Sequence, residues 1–178
     1  MKIEKWFSLQ TGVYDDFNLK DQIELVWNVT ERQYPNINYN LTPDIDDANC
    51  ILDASHYLDI ADMLTIFYNN MFGHSKVEDT RQFVITAKRI KDDLKLHFEN
   101  LTNEDDEVLN KTFETLLKSD NRYQLEGRSG LAKVMKIVRY DLLGSDDDFS
   151  VVAENGICKV DVRINLNSLR KKEEKKYE

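Results

Sequence analysis

The chain has 178 residues, of which 41% are hydrophobic and 32% charged, so it is long enough for one domain with a hydrophobic core. Its net charge of −9 argues against a nucleic-acid groove or an anionic membrane surface as the main partner. Its apolar runs are far shorter than the ~20 residues that a membrane span needs, and the first residues lack a secretory apolar core, so a cytoplasmic location is expected.

Residues 1–16 carry apolar side chains without a clean period, and we interpret them as an arm that packs on the domain or joins it to a neighbour. Asn18 is then the predicted N-cap of a helix that runs to about Arg32 with an apolar stripe. Residues 37–41 alternate between apolar and polar side chains, which predicts a half-buried strand. Residues 49–54 are predicted to form a second short strand.

The central stretch, from His56 to Ser75, is predicted to form a helix with one apolar face. Asn70 lies beside that face, where a purely structural helix would carry Leu or Ala at lower cost. Its amide is interpreted either as a group held against something in a pocket or as a core Asn bonded to a backbone carbonyl. Gly73 is predicted to close the helix in the left-handed conformation. The residues of the apolar face are Tyr57, Ile60, Ala61, Leu64, Phe67, Tyr68 and Met71.

The second half of the chain is predicted to alternate strands and helices in the same way. Gly144 is predicted to close the last helix, and Asn155-Gly156 is a strong hairpin signal. The charged residues 168–178 are interpreted as a tail. The predicted strands are 83–87, 94–98, 150–153 and 157–166, and the predicted helices are 103–118 and 131–143.

This order of elements predicts an α+β fold, a two-layer sandwich in which helices pack on one face of a mostly antiparallel mixed sheet. The domain is expected to span residues 17–167. Cys50 and Cys158 lie in strand-like apolar runs, which favours reduced core thiols, although the sequence also allows a disulfide between them. His56, His74 and His97 lie beside no pattern typical of a nucleophile or a zinc site, and we interpret them as structural.

Three stretches, taken in this order, resemble the GHKL (Bergerat-fold) ATPase domain shared by histidine kinases, type II topoisomerases, mismatch-repair ATPases and heat-shock chaperones. Phe17-Asn18-Leu19 before a helix is similar to the entry segment of the kinase catalytic domains. Residues 52–75 are similar to the Asn-containing helix of the family. Residues 127–133, Gly-Arg-Ser-Gly-Leu-Ala-Lys, resemble the glycine-rich box beside the nucleotide phosphates.

The resemblance implies a site for ATP or ADP with Mg²⁺, in which Asn70 is the metal ligand. An amide oxygen is a hard, neutral ligand suited to a magnesium ion that already holds phosphate oxygens and waters. Glycines and free backbone N–H groups at a helix start suit a phosphate, although an ordinary loop-to-helix turn has the same pattern. The implied nucleotide-binding residues are Asn70, Ser75, Glu99, Asn100, Gly127, Arg128, Ser129, Gly130, Leu131 and Lys133.

The sequence also departs from the family pattern. The adenine-binding Asp-x-Gly-x-Gly box is replaced by Glu99-Asn100-Leu101-Thr102-Asn103, where Glu99, in preference to Asn100, is expected to accept from adenine. Hydrolysing members carry a general-base Glu one helical turn before the metal Asn, and here that position is Ile66. Asn69 points about 100° around the helix and does not replace it.

Three functions follow as hypotheses. The first is a regulatory module that binds ATP and magnesium, hydrolyses ATP weakly or not at all, and works with a protein partner or flanking domains. The second is a nucleotide-free scaffold or protein-interaction domain. The third is a kinase acting on a separate His-bearing partner, since no helical hairpin with a phospho-acceptor His precedes the domain and the chain resembles a part of a larger protein.

Overall fold

A computed structural model describes residues 16–45, 50–75, 81–118, 130–167 and 169. Its centre is a five-stranded sheet in the order β2-β4-β5-β7-β6, in which only the β2–β4 pair is parallel. A small second sheet pairs β1 with β3. The strands are β1 Phe17–Asn18, β2 Tyr39–Asp44, β3 Ile51–Leu52, β4 Arg81–Ile90, β5 Asp93–Leu101, β6 Phe149–Glu154 and β7 Ile157–Asn165.

The helices pack on one face of the large sheet, which confirms the predicted two-layer α+β sandwich. The central helix α2 follows a short 3₁₀ turn, and its apolar face is buried. The last helix begins as α4 and continues as a π-helical segment. The helices are α1 Leu19–Glu31, α2 Tyr57–His74, α3 Asp106–Lys118 and α4 Gly130–Lys136, with 3₁₀ turns at Ala54–His56 and Asp146–Asp148 and the π segment at Ile137–Asp141.

Local signals in the sequence account for several of these elements. Asn18 caps α1 as predicted, because its side-chain oxygen accepts from the backbone N–H of Lys20 at 2.9 Å. Asn155 and Gly156 both have positive φ, 55° and 71°, which is the backbone of a type I′ turn and joins β6 to β7. The chain therefore turns where the Asn-Gly signal predicts.

An aromatic cluster joins α1 and α2 to the sheet. Phe72 is 1% exposed, and its ring stacks on Tyr34 with centroids 4.8 Å apart and planes inclined by 10°. The rings of Trp27, Tyr39 and Phe83 lie 5.2, 5.5 and 5.1 Å from the same ring. These contacts hold the apolar face of α2 against the sheet and so fix where its remaining face points.

Two predicted helix ends are wrong. Gly73 lies inside α2, and in the part of the chain that the structure describes only Gly156 among the glycines has positive φ. The last helix ends on Leu143, which takes the left-handed conformation with φ 55°, and not on Gly144. Gly144 supplies space instead, since a Cβ there would lie 3.0 Å from the backbone oxygen of Val138.

Two further elements differ from the predicted pattern. The short strand in residues 49–54 pairs with β1 beside the start of α1, where Leu19 N–H donates to the Cys50 carbonyl at 3.0 Å. The helix predicted from residue 103 begins at Asp106, because the Asp105 carboxylate accepts from the N–H groups of Glu107 and Val108 and caps it. Among the described residues, no helix is both long and apolar enough to cross a bilayer.

Candidate functional site

A cavity of about 500 Å³ lies between α2, α3, the start of α4 and the β5-β7-β6 part of the sheet. Its size is within the usual range for a small-molecule site, and most of its lining is hydrocarbon. The lining residues are Phe67, Asn70, Met71 and His74 of α2; Phe98, Asn100, Val151, Cys158 and Val160 of the sheet; Thr102 and Glu104 after β5; Val108, Leu109, Thr112, Phe113 and Leu116 of α3; and Gly130 and Leu131 of α4.

Asn70 and Gly130, predicted from two distant stretches of sequence, meet at this cavity. A Cβ on Gly130 would lie 3.9 Å from both the oxygen and the nitrogen of the Asn70 amide. Leu131, the next predicted residue, is 9% exposed and lines the same space. The amide of the main helix and the first residues of the last helix therefore face one cavity, as the resemblance implies.

The neighbours of Asn70 on α2 face in different directions. Ile66, one turn earlier, packs on the start of α4, since its Cγ2 would lie 3.1 Å from a Cβ on Gly130. Asn69 faces the segment that follows α1, where its side-chain oxygen accepts from the Tyr34 hydroxyl at 3.0 Å. The helix thus places hydrocarbon where a hydrolysing enzyme of the family carries its base, and Asn69 is turned away, as expected.

Lys133 forms an ion pair with Asp62 on α2, with Nζ 2.8 Å from the carboxylate. Asp62, Ile66 and Asn70 are spaced at four-residue steps on one face of α2, so this pair lies about 12 Å along the helix from Asn70. Lys133 does not line the cavity. Both partners are more than half exposed, at 54% and 58%. The ion pair therefore aligns α4 along α2 and adds little to stability.

At the end of β5, Asn100 faces the cavity and Glu99 does not, which is the reverse of the predicted preference. Asn100 is 9% exposed and lines the cavity, because it shares the helix-facing side of the strand with Leu96 and Phe98. Its Nδ2 donates to the Leu101 carbonyl at 3.2 Å. Glu99 projects from the opposite side of the sheet. The expectation that Glu99 supplies the acceptor in the cavity is therefore wrong, and Asn100 is the residue of the pair that is present there.

On the far side of the sheet, Glu99 belongs to a cluster around His97. The imidazole lies between two carboxylates, with Nε2 2.9 Å from Glu99 and Nδ1 2.7 Å from Asp161. Partial burial by itself lowers the pKa of His97, but the hydrogen bonds and charges of Asp161 and Glu99 outweigh burial, so the pKa of His97 is raised above its ordinary value. His97 thus links β5 to Asp161 of β7 on the side of the sheet away from the cavity.

Among the described residues, one further predicted side chain is not brought to the cavity. Ser75 is fully buried and does not line the cavity. The residue before it, His74 at the exposed end of α2, does line the cavity. Gly127, Arg128 and Ser129 lie outside the described residues. Of the glycine-rich stretch, the described residues that line the cavity are Gly130 and Leu131.

The donor set around Asn70 limits what the site can hold. Within the described ranges, no group of three or more His, Cys, Asp or Glu side chains is arranged to hold a metal ion. A magnesium ion at Asn70 would then take most of its ligands from phosphate oxygens and water, which is compatible with the way magnesium binds nucleotides. Cys158 lines the cavity as a free thiol, and burial raises its pKa to about 11. At neutral pH it is not a thiolate nucleophile.

The wall that α3 contributes to the cavity was not predicted from the sequence. Val108, Leu109, Thr112, Phe113 and Leu116 all line the cavity, and they lie on one side of the helix. Their spacing was visible in the sequence as an apolar stripe, but a stripe shows only that a helix face is covered and not what it covers. The cavity thus combines a mostly hydrocarbon lining with the polar amide of Asn70.

Comparison with known structures identifies the fold. The chain superposes on the catalytic domain of histidine kinase ThkA with a TM-score of 0.65 at 16% identity, over 84% of this chain and 93% of that one. It matches the histidine kinase domain of the blue-light-activated kinase EL346 from Erythrobacter litoralis with a TM-score of 0.63 at 12% identity, over 87% and 64%. It matches histidine kinase AdeS from Acinetobacter baumannii with a TM-score of 0.60 at 17% identity, over 86% and 67%.

The fold and the site geometry thus define a divergent domain of the histidine-kinase catalytic class, which confirms the GHKL resemblance. Residues 18–166 match the family model described as "y4jQ C-terminal putative histidine kinase domain". The chain belongs to this family. No curated protein sequence matches it.

Proposed function

We propose that the cavity binds an adenine nucleotide together with magnesium, and that the domain hydrolyses the nucleotide weakly or not at all. In this proposal Asn70 is the protein ligand of the metal ion, whose other ligands are phosphate oxygens and waters. Asn100 accepts from the base at the sheet end of the cavity. A bound magnesium ion would neutralise phosphate charge, while the residues of this chain bind and orient the nucleotide.

The observation that carries the proposal is the approach of Asn70 to Gly130. The absence of a Cβ at Gly130 lets the start of α4 approach α2 closely, and the helix-borne amide beside it offers a neutral oxygen to the counterion of an anionic ligand. The cavity also keeps a volume of about 500 Å³ that the side chains described by the structure do not fill, which favours binding over a scaffold with a collapsed pocket.

Ile66 supports the second part of the proposal. It packs against the start of α4 one turn from Asn70, and a hydrocarbon side chain neither accepts a proton nor orients a water molecule. Glu99 does not take that place, because it projects from the far side of the sheet, and Glu104, which does line the cavity, follows β5 and is not on α2. A bound nucleotide would therefore persist and act through the conformation it stabilises.

A thermal-shift titration tests the proposal. ATP with magnesium is expected to raise the melting temperature, because a ligand that binds only the folded state stabilises it by mass action. Asn70→Ala should abolish the rise. Asn69→Ala is the matched control: it removes the same side chain from the adjacent position, which faces Tyr34, so the rise should remain even if the basal melting temperature falls.

One result of the thermal-shift titration would contradict the nucleotide proposal. If millimolar ATP with magnesium leaves the melting curve of the wild-type protein unchanged, the nucleotide proposal fails. The alternative would then be a scaffold or protein-interaction domain. The largely apolar wall of α3 favours that alternative, since it is built to exclude water rather than to bind charge.

A kinase acting on a separate protein is a second candidate, favoured by the family to which the chain belongs. Relatives act with partners: ThkA has been crystallised in complex with the response regulator protein TrrA. We propose likewise that this domain works with a protein partner or flanking domains. Phosphotransfer from radiolabelled ATP to an added His-bearing helical hairpin would support the kinase; its absence with hairpins from several such kinases would count against it.

A further inference from the structure

Asn110 of α3 makes a double hydrogen bond to the backbone of Ala153 on β6. Its Nδ2 donates to the Ala153 carbonyl at 2.8 Å, and the Ala153 N–H donates to its Oδ1 at 2.8 Å. One side-chain amide thus supplies the donor and the acceptor that a neighbouring β-strand would supply. The contact joins residues 43 positions apart in the chain.

The register of the hairpin explains why these backbone groups are available. β6 is the edge strand of the large sheet, so no strand that the structure describes pairs with one side of its backbone. A tight Asn155-Gly156 turn makes Glu154 and Ile157 a hydrogen-bonded pair, and the next pair, Ala153 and Cys158, is then a non-bonded one. The N–H and C=O of Ala153 therefore point outward, where Asn110 meets them.

A second contact fixes the beginning of the same helix. The Asp106 carboxylate accepts from the N–H of Gly156 in the hairpin turn, at 3.2 and 3.4 Å. The chain just before α3 is tied to the same turn, since Thr102 N–H donates to the Gly156 carbonyl at 2.9 Å. The first two turns of α3 are thus bonded to the β6–β7 hairpin by groups that are independent of its apolar face.

These hydrogen bonds bear on the position of α3, which forms one wall of the cavity. Leu109 and Phe113 lie one residue before and three residues after Asn110, and both line the cavity. Val151 lines it from β6, two residues before the Ala153 anchor. We propose that Asn110 is a positioning residue. By its hydrogen bonds to the edge of β6 it holds α3 in place as one wall of the cavity, so that the cavity is already formed before a ligand enters.

Amide hydrogen exchange tests the anchor without any ligand. In the wild-type protein, the Ala153 amide should be protected although it lies on an edge strand. Asn110→Asp keeps the shape but turns a carboxylate oxygen toward the Ala153 carbonyl, and Asn110→Ala removes the group without adding charge. Both should speed Ala153 exchange by about tenfold or more, while the Val152 amide, which bonds across to β7, changes little.

Ligand binding tests the consequence, and this arm rests on the proposed function. The Kd for ATP with magnesium should rise about tenfold in both Asn110 variants, mainly through faster dissociation, because the wall must be ordered on binding. Thr115→Ala is the control, since Thr115 is exposed on the same helix and bonds only to the Lys111 carbonyl in its own helix. Its Kd should stay within about twofold of the wild-type value.

The outcomes are distinguishable. If the Ala153 amide exchanges freely in the wild-type protein, or if its exchange rate is unchanged in both variants, the proposed role of the Asn110–Ala153 hydrogen bonds is wrong. Faster exchange with an unchanged Kd shows that α3 is tied to β6 but does not form the wall, which also overturns the proposal. If the wild-type protein fails to bind ATP with magnesium, the proposed function fails and the exchange experiment still decides the role of Asn110. If Asn110→Asp does not fold, Asn110→Ala and the wild-type exchange rates carry the test.

Discussion

Ile66 of α2 and Gly130 of α4 approach so closely that a Cβ on residue 130 would lie 3.1 Å from the Cγ2 of Ile66. This contact sets the separation of the two helices at the cavity. It also places Asn70, one turn further along α2, beside the first residue of α4. The two features that the family resemblance brings together are thus held in place by a hydrocarbon contact that the resemblance does not include.

Gly130→Ala should destabilise the protein by about 1 kcal/mol, because the added methyl group overlaps Ile66 and the helices must separate by a few tenths of an ångström. In an Ile66→Ala background the overlap disappears, and the same substitution should be neutral or stabilising through its higher helix propensity. Urea denaturation of the four proteins in this double-mutant cycle measures the coupling. Equal effects in both backgrounds would contradict the contact.

The charge state of His97 should make stability depend on pH. Since the pKa of His97 is raised in the folded state by Asp161 and Glu99, its contribution is fully present below the unfolded value of about 6.5 and is lost as pH rises through the folded pKa. His97→Gln should therefore cost more at pH 5.5 than at pH 8.5, by at most about 1 kcal/mol for so exposed a cluster. Denaturation at both pH values measures this.

An NMR titration of the imidazole separates the causes. The midpoint for His97 should lie above its ordinary value and should fall in both Asp161→Asn and Glu99→Gln, because each substitution removes one carboxylate from the ring. If the titration midpoint of His97 is unchanged in both variants, the two carboxylates do not stabilise the protonated imidazole.

Phe72→Ala should cost about 3–5 kcal/mol, because the ring is 1% exposed and stacks within the aromatic cluster that joins α1 and α2 to the sheet. Leu58→Ala on the same helix is the control. Leu58 is 64% exposed, so its truncation should change stability by less than about 0.5 kcal/mol. Thermal and urea unfolding followed by circular dichroism compare the two, and similar losses would contradict the packing described for α2.

Two glycines should respond to alanine with opposite signs. Gly156→Ala should destabilise by about 1 kcal/mol, since φ is +71° at the hairpin turn. Gly73→Ala should stabilise by up to about 1 kcal/mol, because Gly73 lies within α2 and a Cβ there meets nothing within 4 Å. Denaturant unfolding measures both. A loss of stability in Gly73→Ala would restore the left-handed helix end that the sequence predicted.

Part of the candidate site follows from the sequence by local rules. Asn70 is recognisable because a neutral amide lies beside the apolar face of a helix, and Gly130 because glycines precede a new helix, while the resemblance supplied their roles. Asn100 was within reach as well. The alternation along Leu94, Leu96 and Phe98, continued by one more step, puts Asn100 and not Glu99 on the helix-facing side of β5.

Other parts follow from no local rule. Nothing near Ser75 in the sequence shows that its side chain is buried away from the cavity, because its position depends on how the end of α2 meets the sheet. The role of Asn110 depends on a backbone 43 residues away whose bonding groups are exposed by the register of a hairpin. A side chain that reads as an ordinary polar residue of an amphipathic helix is thus the one that ties the cavity wall to the sheet.

The sequence by itself determined the order of helices and strands, the cap at Asn18 and the turn at Asn155-Gly156, because periodicity, capping and positive φ are properties of neighbouring residues. Only the tertiary structure decided that Asn70 and Gly130 face one space and that α3 closes it. Those relationships depend on sheet register and on helix contacts such as Ile66 with Gly130, which join parts of the chain that share no local pattern.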